Sequence, residues 1–178
     1  MTDLRPTSEQ LRALLRYEKE TGHLYRRSGK IAGRKATNGY WRVSVKDREF
    51  PAHCVAWAIV TGRWPDKTID HINRIRSDNR WCNLRVANPS EQMGNARTNR
   101  KNTSGARGVT WRKDHARWVA RLCIRRQDGT QATRHLGEFR NIEDAKAAYE
   151  QAAKRYFGKF YAAPGAELRA LQTKETTP

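Results

Sequence analysis

Residues 69–95, IDHINRIRSDNRWCNLRVANPSEQMGN, decide how this chain is read. Asp70 and His71 stand side by side, Asn83 follows, and Gln92 and Asn95 come after Pro89-Ser90, a pair that opens helices. Ile69 and Ile72 precede the polar turn Ser77-Asp-Asn-Arg80, and Trp81 and Leu84 follow it. The pattern predicts two strand-like arms around a loop and then a short helix, a ββα unit. One acid, one base and several amides in so small a space suit the hydrolysis of a phosphate ester. That chemistry needs a base to activate water and hard oxygen donors for a divalent cation.

Composition narrows the partner. The chain has 178 residues, enough for one domain or two small ones, and 36 Lys and Arg against 18 Asp and Glu give a net charge of +18. Such a surplus points to a polyanion, because cationic side chains release counterions from phosphates and so bind nucleic acid with an affinity that falls steeply with salt. No apolar run approaches the ~20 residues that span a bilayer, and Met1 to Pro6 lack the apolar core of a secretory signal. The three cysteines, Cys54, Cys82 and Cys123, form no CxxC pair and are odd in number. They read as reduced, buried or inert thiols of a cytoplasmic protein, not as a disulfide framework or zinc site.

Upstream, Thr7-Ser-Glu-Gln10 has the form of a capping box, and Leu11, Leu14 and Leu15 follow at helical spacing. Thr21-Gly22 ends that helix. His23 to Arg26, Lys30 to Ala36, Tyr40 to Val45 and Arg48 to Pro51 read as short strands, with Trp41, Val43 and Val45 on one face. His53 to Thr61 reads as a buried helix stopped by Gly62 and Pro65. His53 opens it and is read as a structural hydrogen-bonder in preference to a catalytic group.

These residues resemble the HNH endonuclease family, in particular its phage and intron-associated homing enzymes. The resemblance rests on Asp70-His71-Ile72-Asn73, Asp78-Asn79 and Asn83-Leu84, preceded by Ala52-His53, Ala56-Trp57 and Thr61-Gly62-Arg63-Trp64-Pro65, and it covers roughly residues 7 to 98. It implies that His71 is the general base and that Asp70 binds one divalent ion, Mg²⁺ or Mn²⁺. It implies that Asn83 holds the loop arms together and orients the histidine, and that Arg85 clamps a phosphate. The helical position that carries His or Asn in the commonest pattern is Gln92 here, so the second metal ligand is Gln92 or Asn95.

After Asn95 the polar, basic run 97–104 reads as a linker. A second unit then begins. Val109 to Arg112, Arg117 to Arg126 and Thr130 to Leu136 are strand candidates, with an Asp128-Gly129 hairpin turn between the last two. Asn141 caps a helix in which Ala145, Ala148, Tyr149, Ala152, Tyr156 and Phe157 make an apolar stripe. Arg107-Gly-Val109, Trp118-Val-Ala120, His135-Leu-Gly-Glu-Phe139 and Ala145-Lys-Ala-Ala-Tyr149, with Ala152-Ala153 and Phe157-Gly158, resemble the AP2 DNA-binding domain. In that family the outer face of the sheet enters the major groove. Alternation turns Trp118, Ala120, Leu122 and Ile124 to the helix and Val119, Arg121, Cys123 and Arg125 outward. The resemblance makes Arg107, Thr110, Arg112, Lys113, Arg121, Arg125, Thr133 and His135 the DNA-contact candidates.

The expectation is therefore an α+β protein of two domains: a small β-rich HNH domain (1–96, with its ββα-metal core at about 67–96) and a three-stranded antiparallel sheet with one helix (105–163), joined by the linker 97–104 and followed by a polar tail (164–178). Its partner is double-stranded DNA, without a membrane; the sequence leaves the oligomeric state open, with a monomer favoured, and the setting is a bacterial host cell if the gene is phage-borne. The alternatives are a non-catalytic AP2-type regulator and a nonspecific nucleic-acid binder.

Overall fold

Thr7 starts the first helix as the capping box predicts: its side chain accepts from the Gln10 amide and the Gln10 side chain accepts from the Thr7 amide, both at 3.2 Å. This is a computed structural model, and it describes residues 5–99, 101–126 and 128–163. The helical turn expected within 166–171 lies outside those residues. The chain divides into two compact units, Met1–Ala87 and Asn88–Pro178.

In the first unit, α1 (Ser8–Leu14) stops before Leu15, and the chain continues as β1 (Leu15–Tyr17), antiparallel to β2 (Leu24–Arg26). The helix expected to run on to Thr21 is thus cut short. Leu15 is 3% exposed as the inward residue of a strand, and the Glu18–Gly22 turn closes the hairpin through Gly22 N to Glu18 O (2.9 Å) and Glu18 N to His23 O (3.0 Å). A second sheet orders β3 (Arg34–Lys35), β4 (Trp41–Val45) and β5 (Arg48–Pro51) antiparallel. Alternation buries Val43 and Val45 and leaves Arg42 and Ser44 on the far face. The helix α2 (Ala52–Thr61) follows at once and ends at Gly62 in a left-handed C-cap (φ 80°).

Two apolar clusters meet on α2. Ala52, Val55 and Ala58 pack with Leu11, Leu15, Leu24, Val43, Val45 and Phe50, whereas Ala56 packs with Ile69 and Leu84. Each fully buried Leu or Val of this core contributes about 1.5–3 kcal/mol of transfer free energy. The second cluster seats β6 (Thr68–His71) and β7 (Leu84–Ala87), an antiparallel pair in which Asp70 lies opposite Arg85 and His71 opposite Leu84. A 3-10 turn, Trp81–Asn83, leads into β7. The two arms around a loop are present as expected.

In the second unit, β8 (Val109–Arg112), β9 (Arg117–Arg125) and β10 (Gln131–Phe139) form an antiparallel sheet with β9 central. The helix α4 (Ile142–Phe157) packs on it. Asn141 caps that helix by accepting from the Asp144 amide at 2.8 Å. Its buried line is Ala145, Tyr149, Ala153 and Phe157, every fourth residue; Tyr156, expected in the stripe, is 40% exposed. Ala120 and Leu122 are buried as expected, but so is Val119, which alternation placed outward and which is 1% exposed between Thr110 and Glu138 of the flanking strands.

The helix α3 (Pro89–Asn95) also belongs to this unit, so compactness divides the chain ahead of the helix and not after it, where the expected boundary at 96 lies. The reason is Gly94, where a Cβ would run 2.8 Å from Phe157 Cβ and 2.9 Å from Phe160 O. Absence of a side chain lets α3 lie against α4. The stretch expected as a linker is knitted by side chains: Asn102 donates to Ala106 O at 2.8 Å and Ser104 to Val109 O at 2.6 Å.

Candidate active site

Neighbours on a strand point to opposite faces, and this separates the acid from the base. On β6, Asp70 turns to the side it shares with Arg85, and His71 to the side of Ile69 and Leu84. Arg85 Nε and Nη2 both donate to Asp70 Oδ2, at 2.9 and 2.8 Å, with both side chains largely buried. Arg85, expected to clamp a phosphate, is turned onto the carboxylate directly across the strand pair. The register brings the two side chains together, and a charge-assisted pair shielded from water is strong.

His71 is 4% exposed. Its Nε2 lies 3.0 Å from Asn79 Oδ1. The rings of Tyr40 and His53 stand 5.9 and 5.1 Å from its centroid, His53 nearly perpendicular to it. Burial pushes the His71 pKa below the usual histidine range, against the Asn79 hydrogen bond and the nearby Asp70 and Asp78, which pull it up. The imidazole is therefore neutral at physiological pH, the state a proton acceptor requires.

The loop that carries Asn79 is held by four polar side chains. Asn83 Oδ1 accepts from Asn73 N at 2.9 Å, and Asn83 Nδ2 donates to Asp78 O at 2.7 Å, so one amide bridges the arms. Asp78, 6% exposed, accepts from Asn73 Nδ2 (2.7 Å) and from the Arg80 guanidinium (2.8 and 2.7 Å). A buried carboxylate satisfied this fully fixes a loop firmly. Gln92 and Asn95 lie on α3 of the second unit, Gln92 half-buried and Asn95 5% exposed.

His53 and Asn79 are the residues that reading the sequence undervalued. His53, at the start of α2, is 7% exposed, its Nδ1 has no hydrogen-bond partner among the described residues, and it faces Tyr40 at 5.4 Å between ring centroids. It meets the Tyr40 ring at a tilt of 51° and the His71 ring edge-on, where a hydrogen-bonder was expected. Burial, then the repulsion of His71 and Arg42, lowers its pKa to about 3. A histidine kept neutral by folding contributes stability that is complete above its unfolded pKa near 6.5 and is lost as the pH falls from there towards about 3. Over the full window the loss is on the order of a few kcal/mol. Denaturant titrations across that range should show His53→Gln flattening the acid slope, with His71 supplying part of what remains; an unchanged slope would sink this account.

Among the described residues no group of three or more His, Cys, Asp or Glu side chains is placed to hold a metal ion. A cation beside Asp70 would have one carboxylate and water as its ligands. That sparse set of hard oxygens suits Mg²⁺, which keeps several waters and shares its remaining positions with phosphate, and it does not suit zinc.

In the second unit the register brings Thr110, Arg112, Arg121, Arg125, Thr133 and His135 to one sheet face, with Arg121 opposite His135 and Cys123 opposite Thr133. Arg121, Thr133 and His135 are exposed there, whereas Arg112 is drawn to Asp114 (3.1 Å) and Glu138 (3.3 Å). Lys113 is exposed just beyond β8. Arg107 is turned elsewhere: its guanidinium donates to Gly94 O (3.0 Å), to Ala96 O (2.8 Å) and to Met93 O, capping the carbonyl end of α3. Cys82 and Cys123 are exposed; Cys54 is half-buried, and burial raises its pKa to about 11.

Residues 50–93 match the family model of HNH endonucleases. The HNH match spans α2, β6, β7 and most of α3, and so includes His53, Asp70, His71, Asn79 and Asn83. The chain is also similar to Protein 3.8 of Escherichia phage T7, 36% identical over 67 residues that make up 37% of this chain and 55% of that protein. It thus spans about half the length of the curated relative it matches. Among solved structures, that of DNA binding and cleavage by the HNH homing endonuclease I-HmuI aligns over 68% of this chain and 71% of that one, with a TM-score of 0.39 and 19% identity. No helix among the described residues is long and apolar enough to cross a membrane.

Proposed function

We propose that this chain is a metal-dependent DNA endonuclease of the HNH type, with the sheet of its second unit selecting the DNA site in the manner of an AP2 domain. The observation that carries the reading is His71, a buried imidazole kept neutral and held by Asn79 within the segment that matches the HNH model. In the reaction, His71 takes a proton from the water that attacks the scissile phosphorus. Tyr40 and His53 exclude bulk water from one side of its ring. Asn83 keeps the loop closed, and Arg85 fixes the Asp70 carboxylate in one orientation. A divalent ion held by Asp70 would supply charge stabilisation for the phosphate and the leaving 3′ oxygen. Cleavage of supercoiled DNA by the full chain with Mg²⁺ or Mn²⁺, abolished by chelator, is the expected result. No cleavage with either ion, on plasmid or on DNA carrying the native site, would remove the proposal.

Target choice is assigned to Arg121, Arg125, Thr133 and His135, with Thr110, Arg112 and Lys113 at the edge. Arginine paired to guanine is the commonest specific contact in a major groove, and a sheet can enter that groove. Arg107 braces α3 in this reading and is not a DNA contact. Replacing Arg121 and Arg125 together by alanine should weaken binding to the cognate duplex about tenfold or more and lower the slope of log affinity against log salt by roughly two. Unchanged affinity and slope would mean that another face binds DNA.

A further inference from the structure

We propose that Asn79 is a positioning residue for His71: its side-chain oxygen keeps the ring proton on Nε2 and so makes Nδ1 the nitrogen that receives the proton from water. The assignment of a base to His71 rests on the nuclease reading; the hold of Asn79 on the ring does not.

A neutral imidazole exists as two tautomers of similar energy, and the partner of one nitrogen decides where the lone pair is. Here that partner is Asn79 Oδ1, 3.0 Å from His71 Nε2, with the two residues 3% and 4% exposed. An amide oxygen only accepts, so Nε2 must donate. The adjacent acid does not do this work, because Asp70 faces the other side of β6 and is tied to Arg85. Asn83 does not do it directly either, since its amide is spent on Asn73 N and Asp78 O and reaches the ring only through the loop.

Asn79 is itself built in. Tyr17 Oη donates to Asn79 O at 2.6 Å, Trp81 N donates to Lys19 O at 3.0 Å, and the Gly22 backbone lies directly against the Asn79–Arg80 peptide. On the other side Asp78 is gripped by Asn73 and Arg80. The β1–β2 hairpin turn and the polar loop together set one place for the amide. An amide also orients the ring without adding charge. A carboxylate in its place would accept equally well but would draw a proton onto the imidazole and spoil it as a base.

The test reads the tautomer itself. In the full chain, without metal or DNA and at mildly alkaline pH, the side-chain ¹⁵N shifts of His71 should report a protonated Nε2 and a bare Nδ1. Asn79→Asp should keep that tautomer. Asn79→Leu, close in size and without an acceptor, should give a mixture of tautomers and release the ring from its fixed orientation; the mixture alone would cost about twofold, and with the lost orientation turnover on DNA should fall at least about tenfold with KM little changed. A wild-type proton on Nδ1, or a folded Asn79→Leu chain with unchanged tautomer and turnover, overturns the proposal. If Asn79→Leu loses its dispersed spectrum, the wild-type and Asn79→Asp spectra decide alone. The expected tautomer in a chain that cuts no DNA removes the nuclease reading and leaves the hold of Asn79 on the ring standing. The wrong tautomer in an active nuclease removes Asn79 and leaves the nuclease.

Discussion

His71→Ala should abolish DNA cleavage, lowering turnover by about 10²- to 10⁴-fold, which is the range that a positioned general base contributes. The substitution removes the proposed proton acceptor and leaves the basic surface alone. Duplex binding should therefore persist with its salt dependence intact, since that dependence comes from cations on phosphate and the chain carries 36 Lys and Arg. The loss should appear in kcat and kcat/KM together, because the missing interaction exists only once the water begins to lose its proton. An unchanged denaturant midpoint would show that the variant is folded. A His71→Ala chain that cuts at the wild-type rate would move the base elsewhere. His53 would be no substitute: with its pKa lowered to about 3 it is too weak a base, and the ring is closed in by Tyr40 and His71.

A substitution distant in sequence from the motif should have the next largest effect. Gly22 has φ +78°, and a Cβ there would run into the carbonyl carbon of Asn79 and the amide of Arg80. Gly22→Ala should cost about 2–4 kcal/mol, of which roughly 1–2 is left-handed backbone strain and the remainder the forced retreat of the loop. Gly29 provides the control. It has φ +79° and nothing within 4 Å of its Cβ position, so Gly29→Ala should show the backbone strain alone. Denaturant midpoints of the two variants separate the terms, and the retreat of the Asn79–Arg80 peptide should lower cleavage by Gly22→Ala while Gly29→Ala keeps wild-type turnover. Equal costs for the two would mean that the hairpin turn does not brace the loop.

Much of the local structure was legible in the order of residues. The capping box at Thr7, the alternation of Trp41, Val43 and Val45, the left-handed stop at Gly62 and the Asp128-Gly129 hairpin each act within a few residues, where spacing and backbone preference decide the outcome. The two arms and loop of residues 68–87 follow from the same rules. Misreadings came where distant packing overrode a local pattern. Leu15 continues the helical spacing of Leu11 and Leu14, but pairing with Arg26 across a hairpin buries it as a strand residue. Alternation turns Val119 outward, and its cross-strand neighbours bury it nonetheless.

The chemistry of the site divides in the same way. That an acid, a base and bridging amides stand together in residues 69–95 is legible in the sequence, because Asp70 and His71 are covalent neighbours and Asn83 follows within one short two-armed loop. Which group serves which was decided by tertiary structure. Strand alternation turned Asp70 away from His71 and gave it to Arg85; the loop fold delivered Asn79 to His71; α2 brought His53 beside the ring; and a seat against Phe157 drew α3 and Arg107 into the second unit. Those partnerships depend on register, burial and the close approach of backbones at Gly22 and Gly94, and none of these is a function of spacing along the chain.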